Sequence, residues 1–372
     1  MNKVNKKYVV SFPHIGNYYV PVYNFLNDVL GCEDVQIMIP QNMSERTKKY
    51  GEESSPDYVC TPFKYNMGNF IESLENGANV LIQAGGGCRY GYYAEVQEKI
   101  LRDMGYDFKY IILFTSNGVD VKNLYSKFKE INPNLNFVHF VSRFIFTLKL
   151  VTIIDKFENY YRDNRVFEKE EGSFDKLHKK FLNEIKNIKG QNQLHRIKNY
   201  YFKELYNLEL IDKDKQQEKL KIGIVGELYS SMEEYSSFYI EKELYKMGVK
   251  TKRYTTATYL LINKPFQEKK LIKKAEKYIS FALGADGTET VAHTLELIDE
   301  GYDGIIHIKP FGCTPEINAM PMLQKISNNT GIPIIYFTFD MQSSEVGIRT
   351  RLEAFYDMLI MKKEKEESKE VV

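Results

Sequence analysis

Short apolar runs alternate with segments of helical spacing in the first third of the chain. The strand candidates there are Tyr8–Phe12, Val35–Ile39, Ala78–Ala84 and Tyr110–Phe114. Segments with apolar residues every three or four positions, such as Val20–Leu30 and Tyr92–Met104, lie between them. Strands that alternate with helices of ten or more residues need crossover connections, which favour a mostly parallel sheet. The pattern predicts an α/β domain over residues 1–122.

From about Val121 the spacing becomes helical over a long stretch. One face carries an apolar residue at every third or fourth position: Phe174, Leu177, Phe181, Ile185 and Ile188. The opposite faces are rich in Lys, Asn and Glu, as is usual for solvated helix surface. We therefore expect a helical segment over residues 123–218.

Alternation returns at Lys219. The strand candidates are Leu220–Val225, Val249–Tyr254, Gly304–Ile308 and Ile332–Phe337. They predict a second α/β domain over residues 219–361, followed by a charged, flexible tail at 362–372. The starts of the two domains, KYVVSFPHIGNYY and KIGIVGELYSS, resemble each other. The predicted fold class is α/β: two Rossmann-like domains with mostly parallel sheets facing across a cleft, plus a helical insertion.

Composition and charge exclude several classes of protein. The 51 Lys and Arg residues balance 50 Asp and Glu residues, whereas nonspecific nucleic-acid binding needs an excess of positive charge. Four cysteines in 372 residues are too few for a disulfide scaffold. The first apolar run is shorter than a signal-peptide core, and Phe144–Ile154 is too short to span a bilayer. We expect a cytoplasmic protein that binds neither nucleic acid nor membrane.

Three cysteines occupy similar places. Cys88 follows a predicted strand and three glycines, Cys313 follows another strand, and Cys60 lies in a connection that contains prolines. Loops beyond the carboxyl ends of parallel strands are where ligands bind, so two facing domains would direct these thiols into one cleft. Cys32, just after a predicted helix, has no such context.

Local sequence points to iron–sulfur chemistry. Cys60 and Cys313 are each followed by Thr-Pro, and proline fixes the loop and removes a competing N–H group. Glycines before Cys88 let backbone N–H groups approach cluster sulfurs. The spacings match no zinc-finger or ferredoxin motif, and a buried structural thiol is the alternative at each position. Three thiols would leave one metal position for a substrate or partner ligand.

Five segments carry a resemblance to a known family. They are SFPHIGNYYVPVYNFL, YVCTPFKYNMGNFIESLENGANVLIQAGGG, CRYGYYAEVQ, GYDGIIHIKPFGCTPEINAMPML and EVGIRTRLEAF. Together they resemble the 2-hydroxyacyl-CoA dehydratase and benzoyl-CoA reductase superfamily, of D-component-like type, and in particular its small activase-related branch. The chain departs from those relatives at Gly85-Gly86-Gly87-Cys88-Arg89, where they often read Gly-Gly-Cys-Gly-Pro-Cys-Arg.

The resemblance implies a [4Fe–4S] or double-cubane cluster held by Cys60, Cys88 and Cys313 in an oxygen-sensitive protein of anaerobic metabolism. It also implies a separate ATP-hydrolysing iron–sulfur activator that supplies low-potential electrons, in keeping with the lack of a G-x-x-x-x-G-K-[ST] motif here. A paralogous subunit or a second copy of the chain, and an acyl-CoA substrate, are the further implied partners. The chain would be a dehydratase- or reductase-like subunit or an electron relay.

Other polar residues are weaker candidates for the cleft. Lys64 and Arg89 flank candidate ligands and would balance cluster charge. His14 and Glu227 follow the first strand of each domain, and the alternative for each is a turn or helix cap. Glu316 would accept backbone N–H groups at a helix start. The loop 284–288 would cradle a phosphate or serve as a turn and cap.

A different hypothesis fits the same thiols. They would hold zinc, or no metal, in a non-redox binding or assembly module without catalysis of its own. Iron and acid-labile sulfide content distinguishes the two hypotheses.

Overall fold

Eight strands in the described residues form two all-parallel sheets of four strands each. The structure is a computed structural model that describes residues 7–83, 92–113, 121–212, 215–216 and 219–370. The strands are β1 Tyr8–Ser11, β2 Val35–Ile37, β3 Val80–Gln83, β4 Lys109–Ile112, β5 Lys221–Gly226, β6 Lys250–Lys252, β7 Gly304–Pro310 and β8 Ile334–Phe339. Their orders, β2-β1-β3-β4 and β6-β5-β7-β8, are the same, which confirms the predicted α/β class with two Rossmann-like parts.

Helices connect and cover these strands. They are α1 Tyr19–Leu30, α2 Glu45–Ser54, α3 Thr61–Glu75, α4 Tyr93–Asp103, α5 Val121–Ile131, α6 Phe137–Asn164, α7 Ser173–Ile185, α8 Gln191–Tyr206, α9 Leu228–Met232, α10 Ile240–Lys246, α11 Lys264–Lys274, α12 Gly287–Asp299, α13 Thr314–Thr330 and α14 Glu345–Glu370. A π-helical turn, Tyr259–Asn263, precedes α11.

The first sheet is covered on both faces. Val80 and Ile82 of β3 pack in a core with Phe25 of α1. Leu81, which points to the opposite face, packs in another core with Phe70 of α3 and Leu101 of α4. Burial on both faces explains why the strands are continuously apolar instead of alternating.

The second sheet repeats this arrangement. Ile306 and Ile308 of β7 pack in a core with Leu352 of α14. Ile305, on the other face, packs with Leu297 of α12. Every residue of β7 is buried, so this central strand places its side chains in the interior on both faces.

The chain divides into two compact units. One comprises residues 1–153 and 181–199, and the other comprises residues 154–180 and 200–372. Each unit holds one of the sheets. The helical segment predicted over 123–218 contributes to both units, because α6, α7 and α8 each cross a boundary between them.

The carboxyl-terminal charge run is helical up to Glu370, although a flexible tail is predicted from residue 362. This run continues α14, and Lys362 pairs with Glu366 at 3.7 Å across one helical turn. Lysine and glutamate are good helix formers, and pairs four residues apart add a few tenths of a kcal/mol.

The apolar stretch at residues 144–154 is only the middle part of a much longer helix, α6. The described residues contain one helical stretch, Phe137–Phe167, that is long and apolar enough to cross a membrane by length and composition. Core helices of globular proteins pass the same test, so a single helix of this kind does not by itself indicate a membrane span.

Candidate functional site

Cys60 lies at the amino-terminal end of α3, in the first unit. It is the N-cap residue, and Pro62 occupies the first turn, where a missing N–H group costs nothing. The thiol is buried, and its sulfur contacts the hydroxyl of Tyr93 from α4. The positive end of a helix dipole and a hydroxyl donor both favour a thiolate. This environment suits a metal-binding sulfur.

Cys313 lies in the second unit in the same local setting. It is the N-cap residue of α13, with Pro315 in the first turn, and it follows the carboxyl end of β7. Lys309, at the end of that strand, is buried, and its ammonium group has no hydrogen bond or ion pair with another described residue. Burial lowers the pKa of Lys309, while the charges of Cys313 and Glu316 act in the opposite direction. A negatively charged group near Cys313 would compensate this buried cation.

The third candidate ligand, Cys88, lies outside the described residues, as does Arg89. Within the part of the chain that the structure describes, no group of three or more His, Cys, Asp and Glu residues is placed to hold a metal ion. The assignment of a cluster to the three cysteines therefore stays a prediction. Cys32 is exposed in the turn after α1.

Glu316 is part of a buried polar group on one face of the second sheet. Its carboxylate lies 2.7 Å from Nε2 of His307 on β7 and accepts hydrogen bonds from the Thr290 hydroxyl on α12, at 3.0 and 3.1 Å. His307 and Glu316 are both 0 % exposed. Glu316 thus binds side chains of two other elements, a different role from the predicted contact with backbone N–H groups at its helix start.

Glu227 caps α9, which is the structural alternative considered for it. Its carboxylate accepts hydrogen bonds from the backbone N–H groups of Tyr229 and Ser230, both at 2.9 Å. Burial raises its pKa despite these hydrogen bonds, and the charge of Glu316 adds to the effect. Glu227 follows β5 directly, so it lies at the carboxyl edge of the sheet, where ligands of such folds bind.

Asp286 brings the loop at 284–288 to the same edge. Its Oδ2 accepts a hydrogen bond from the backbone N–H group of Leu228 at 3.1 Å, and its Oδ1 lies 3.6 Å from Nζ of Lys264. Burial raises the pKa of Asp286 to about 7, against the effect of Lys264 and with that of nearby carboxylates, Glu227 first. The edge therefore holds a carboxyl group that is partly protonated at neutral pH.

His14 and Lys64 lie in the first unit. His14 is buried after β1, where its backbone N–H group donates to the Asn69 side chain at 2.9 Å and its ring stacks on Tyr19 at 5.3 Å. Lys64 is half-buried in the first turn of α3, four residues after Cys60.

Two polar residues of β7 are not among the candidates predicted from the sequence. His307 and Lys309 lie two positions apart, on one face of a strand that is otherwise apolar. The sequence did contain a feature that could have identified them: a histidine and a lysine lie inside an apolar run that precedes a glycine-cysteine turn. Ionisable residues are rarely fully buried without a specific partner, so such positions are candidates for a site.

These features define a class of protein: a pair of parallel α/β units, each presenting a cysteine at the start of a helix that begins with Thr-Pro. The model of the family described as 2-hydroxyglutaryl-CoA dehydratase, D-component, matches residues 173–359, half of the chain. The chain belongs to this family, which confirms the resemblance to the superfamily. No curated protein matches the chain.

Proposed function

We propose that this protein is a cytoplasmic iron–sulfur subunit of the dehydratase superfamily, with its cluster held by Cys60, Cys88 and Cys313. It accepts low-potential electrons from an ATP-hydrolysing activator and passes them to a substrate or to a partner subunit. The observation that carries the proposal is the shared setting of Cys60 and Cys313. Each is an N-cap residue followed by Thr-Pro, in one of two units with the same strand order.

The described residues fit a cluster of this kind. Thiolates are soft ligands that select iron–sulfur clusters or zinc over hard cations. Helix N-termini favour the thiolate at both described cysteines. Lys309 adds a buried positive charge that forms no ion pair with another described residue, and a cluster with thiolate ligands would supply negative charge beside it.

A bound [4Fe–4S] or double-cubane cluster supplies one-electron transfer at low potential. The Tyr93 hydroxyl directs a hydrogen bond to the Cys60 sulfur, and the Phe63 ring packs edge-on against Tyr93 with centroids 5.1 Å apart, which limits access of water. Lys309 offsets negative charge at the other end of the ligand set. Burial raises the pKa of Asp286 to about 7 and also raises the pKa of Glu227. Two carboxyl groups with raised pKa values therefore lie at the carboxyl edge of the second sheet, where Cys313 follows β7.

Family membership supports the proposed partners at the level of class. A D-component works with an activator and with a paralogous subunit, a role that a second copy of this chain would also fill. The substrate class we propose is an acyl-CoA thioester, with the chain acting as a dehydratase- or reductase-like subunit or as a relay.

Anaerobic purification with quantitation of iron and acid-labile sulfide tests this function. We expect iron and sulfide in about equal amounts and a reducible EPR signal, all lost in Cys60→Ala, Cys88→Ala and Cys313→Ala. Cys32→Ala is the matched control and should retain the cluster. Colourless protein that holds zinc, or no metal, would establish the non-redox alternative, and loss of the cluster in Cys32→Ala would overturn the ligand assignment.

A further inference from the structure

A cavity of about 370 Å³ lies beside the carboxyl end of β6 in the second unit. Its walls come from α6, the segment after β6, the π-helical turn, α11 and α12. The residues that matter for its chemistry are Arg253, Tyr254, Asn263, Gln267, Lys270 and His293. None of the cysteines or carboxylates of the proposed cluster site lines it.

His293 is held rigidly in the wall of this cavity. Its Nδ1 lies 2.8 Å from the Glu296 carboxylate, and its ring stacks on Tyr254 with centroids 4.4 Å apart. The residue is 6 % exposed, and its Nε2 is buried without a hydrogen-bond partner in the described part of the chain. Since an unsatisfied buried polar atom is costly, a ligand atom at Nε2 would remove a real penalty.

Unused hydrogen-bond donors predominate around the cavity. The side chains of Asn263, Gln267 and Lys270 make no hydrogen bond with described residues. Arg253 forms an ion pair with Glu241, whose carboxylate lies 2.7 Å from Nε, although Nε makes no hydrogen bond with a described residue. Nη1 donates to the carbonyl of Thr255, and Nη2 has no hydrogen bond with a described residue. A ligand that complements such a wall brings acceptor oxygens.

The carboxylates on the wall are already engaged or compensated. The Glu296 carboxylate is bound to His293, and the Tyr254 hydroxyl donates to Glu300. Asp163 also lines the cavity, and the positive charges of Lys250, Lys252 and Arg162 act on its carboxylate. The cavity therefore does not favour a cationic ligand.

One wall is flat and aromatic. The stacked rings of His293 and Tyr254 meet the Tyr259 ring, whose plane is nearly perpendicular to the imidazole at a centroid distance of 5.8 Å. Tyr259 and Asn263 are the ends of the π-helical turn, a rare element that is frequent at functional sites. This wall suits the organic part of a ligand, and the volume is at the small end of ligand pockets.

We propose that this cavity binds a small organic oxyanion, either a carboxylate or a phosphate monoester. The oxyanion is held by Lys270, Arg253 and His293, and the organic part lies against Tyr254. The site does not depend on the proposed cluster function.

The test is an NMR titration of the full chain labelled with ¹⁵N-histidine, which contains six histidines. Inorganic phosphate and acetate are the probes, each compared with sodium chloride at equal ionic strength. We expect a saturable shift of the His293 nitrogen resonances, assigned by their absence in His293→Gln. A response to phosphate alone identifies a phosphate monoester, and a response to acetate identifies a carboxylate.

Lys270→Met decides the proposal, because Lys270 is exposed on α11 and its replacement leaves the core intact. Loss of one charge-assisted hydrogen bond should weaken binding about tenfold or more. Lys269→Met, at the adjacent exposed position outside the cavity, should bind as the wild type does. The proposal is overturned if neither probe acts beyond chloride, or if the two lysine variants bind equally well.

Discussion

Gly226 lies where the second sheet leaves no room for a side chain. Its φ is +134°, a conformation that L residues rarely adopt, and a Cβ atom there would be 1.9 Å from the carbonyl oxygen of Ile308. That oxygen also accepts the backbone hydrogen bond of Glu227 at 3.0 Å. In Gly226→Ala, therefore, β5 and β7 must separate at the edge that carries Glu227.

The cost of this substitution has two parts. A strained backbone conformation costs about 1–3 kcal/mol, and the weakened hydrogen bond between Glu227 and Ile308 adds about 1 kcal/mol. We expect Gly226→Ala to lower the free energy of unfolding by about 3 kcal/mol or more. Gly331→Ala is the control, since Gly331 ends α13 with φ +74° and a Cβ atom there would have no described atom within 4 Å. Its cost should be about 1 kcal/mol.

Urea denaturation followed by far-UV circular dichroism measures the difference. If the two units unfold separately, both substitutions should move only the transition of the second unit. The free energies of unfolding of the two variants should differ by about 2 kcal/mol. This is the cost of strain and of the weakened hydrogen bond in Gly226→Ala, minus the smaller cost expected for Gly331→Ala. Equal destabilisation of the two variants would refute the close approach of Gly226 to Ile308.

Three further outcomes follow from buried groups. Because burial raises the pKa of Asp286 to about 7, protonation of Asp286 favours folding, and wild-type stability falls as pH rises from about 4 to 7, by at most about 1.4 kcal/mol per pH unit. Asp286→Asn should remove this fall, measured by urea denaturation at about pH 5 and pH 8, and an unchanged pH dependence in the variant would contradict the prediction. Burial acts to raise the pKa of Glu158, but the hydrogen bond with His178 and nearby cations lower it to about 2, so the ionised carboxylate stabilises the fold above about pH 4.5 and this contribution is lost as pH falls. Glu158→Gln should lower the free energy of unfolding by about 3 kcal/mol at pH 7 and by much less at about pH 3. An equal loss at both pH values would refute the link between the low pKa of Glu158 and stability. Tyr93→Phe should lower the reduction potential of the proposed cluster, because a hydrogen bond to the Cys60 sulfur stabilises the reduced cluster, which carries more negative charge. A redox titration followed by EPR measures this potential, and an unchanged value would exclude a hydrogen bond from Tyr93 to the cluster ligand.

Local pattern was sufficient for the strands and for the type of sheet. The run at β7 is apolar, short and bounded by turn residues, and buried parallel strands have this composition wherever they occur. A helix start was expected after Cys313, whereas Cys60 was placed in a connection that contains prolines. In the structure both cysteines are N-cap residues, and the proline that follows each lies in the first turn, where it is tolerated.

The length of α6 was not predictable in this way. Arg143 borders its apolar run and Lys149 interrupts it, so the run taken alone is too short to span a bilayer. In the structure Arg143 pairs with Asp28 of α1 and lies over the Phe146 ring at 4.1 Å, so the charge is accommodated without a break. The partner is more than a hundred positions away in sequence, beyond the reach of any local pattern.

The sequence by itself determined the fold class, the family and the local setting of Cys60 and Cys313, because each depends on residues that are neighbours along the chain. The tertiary structure alone decided which polar groups meet. Glu316 meets His307 and Thr290, with each of the three on a different element, and Asp286 reaches Leu228 across 58 positions. Burial then sets the charge state of Asp286, since the protonation of a carboxyl group depends on the solvent and charges around it and not on its sequence neighbours.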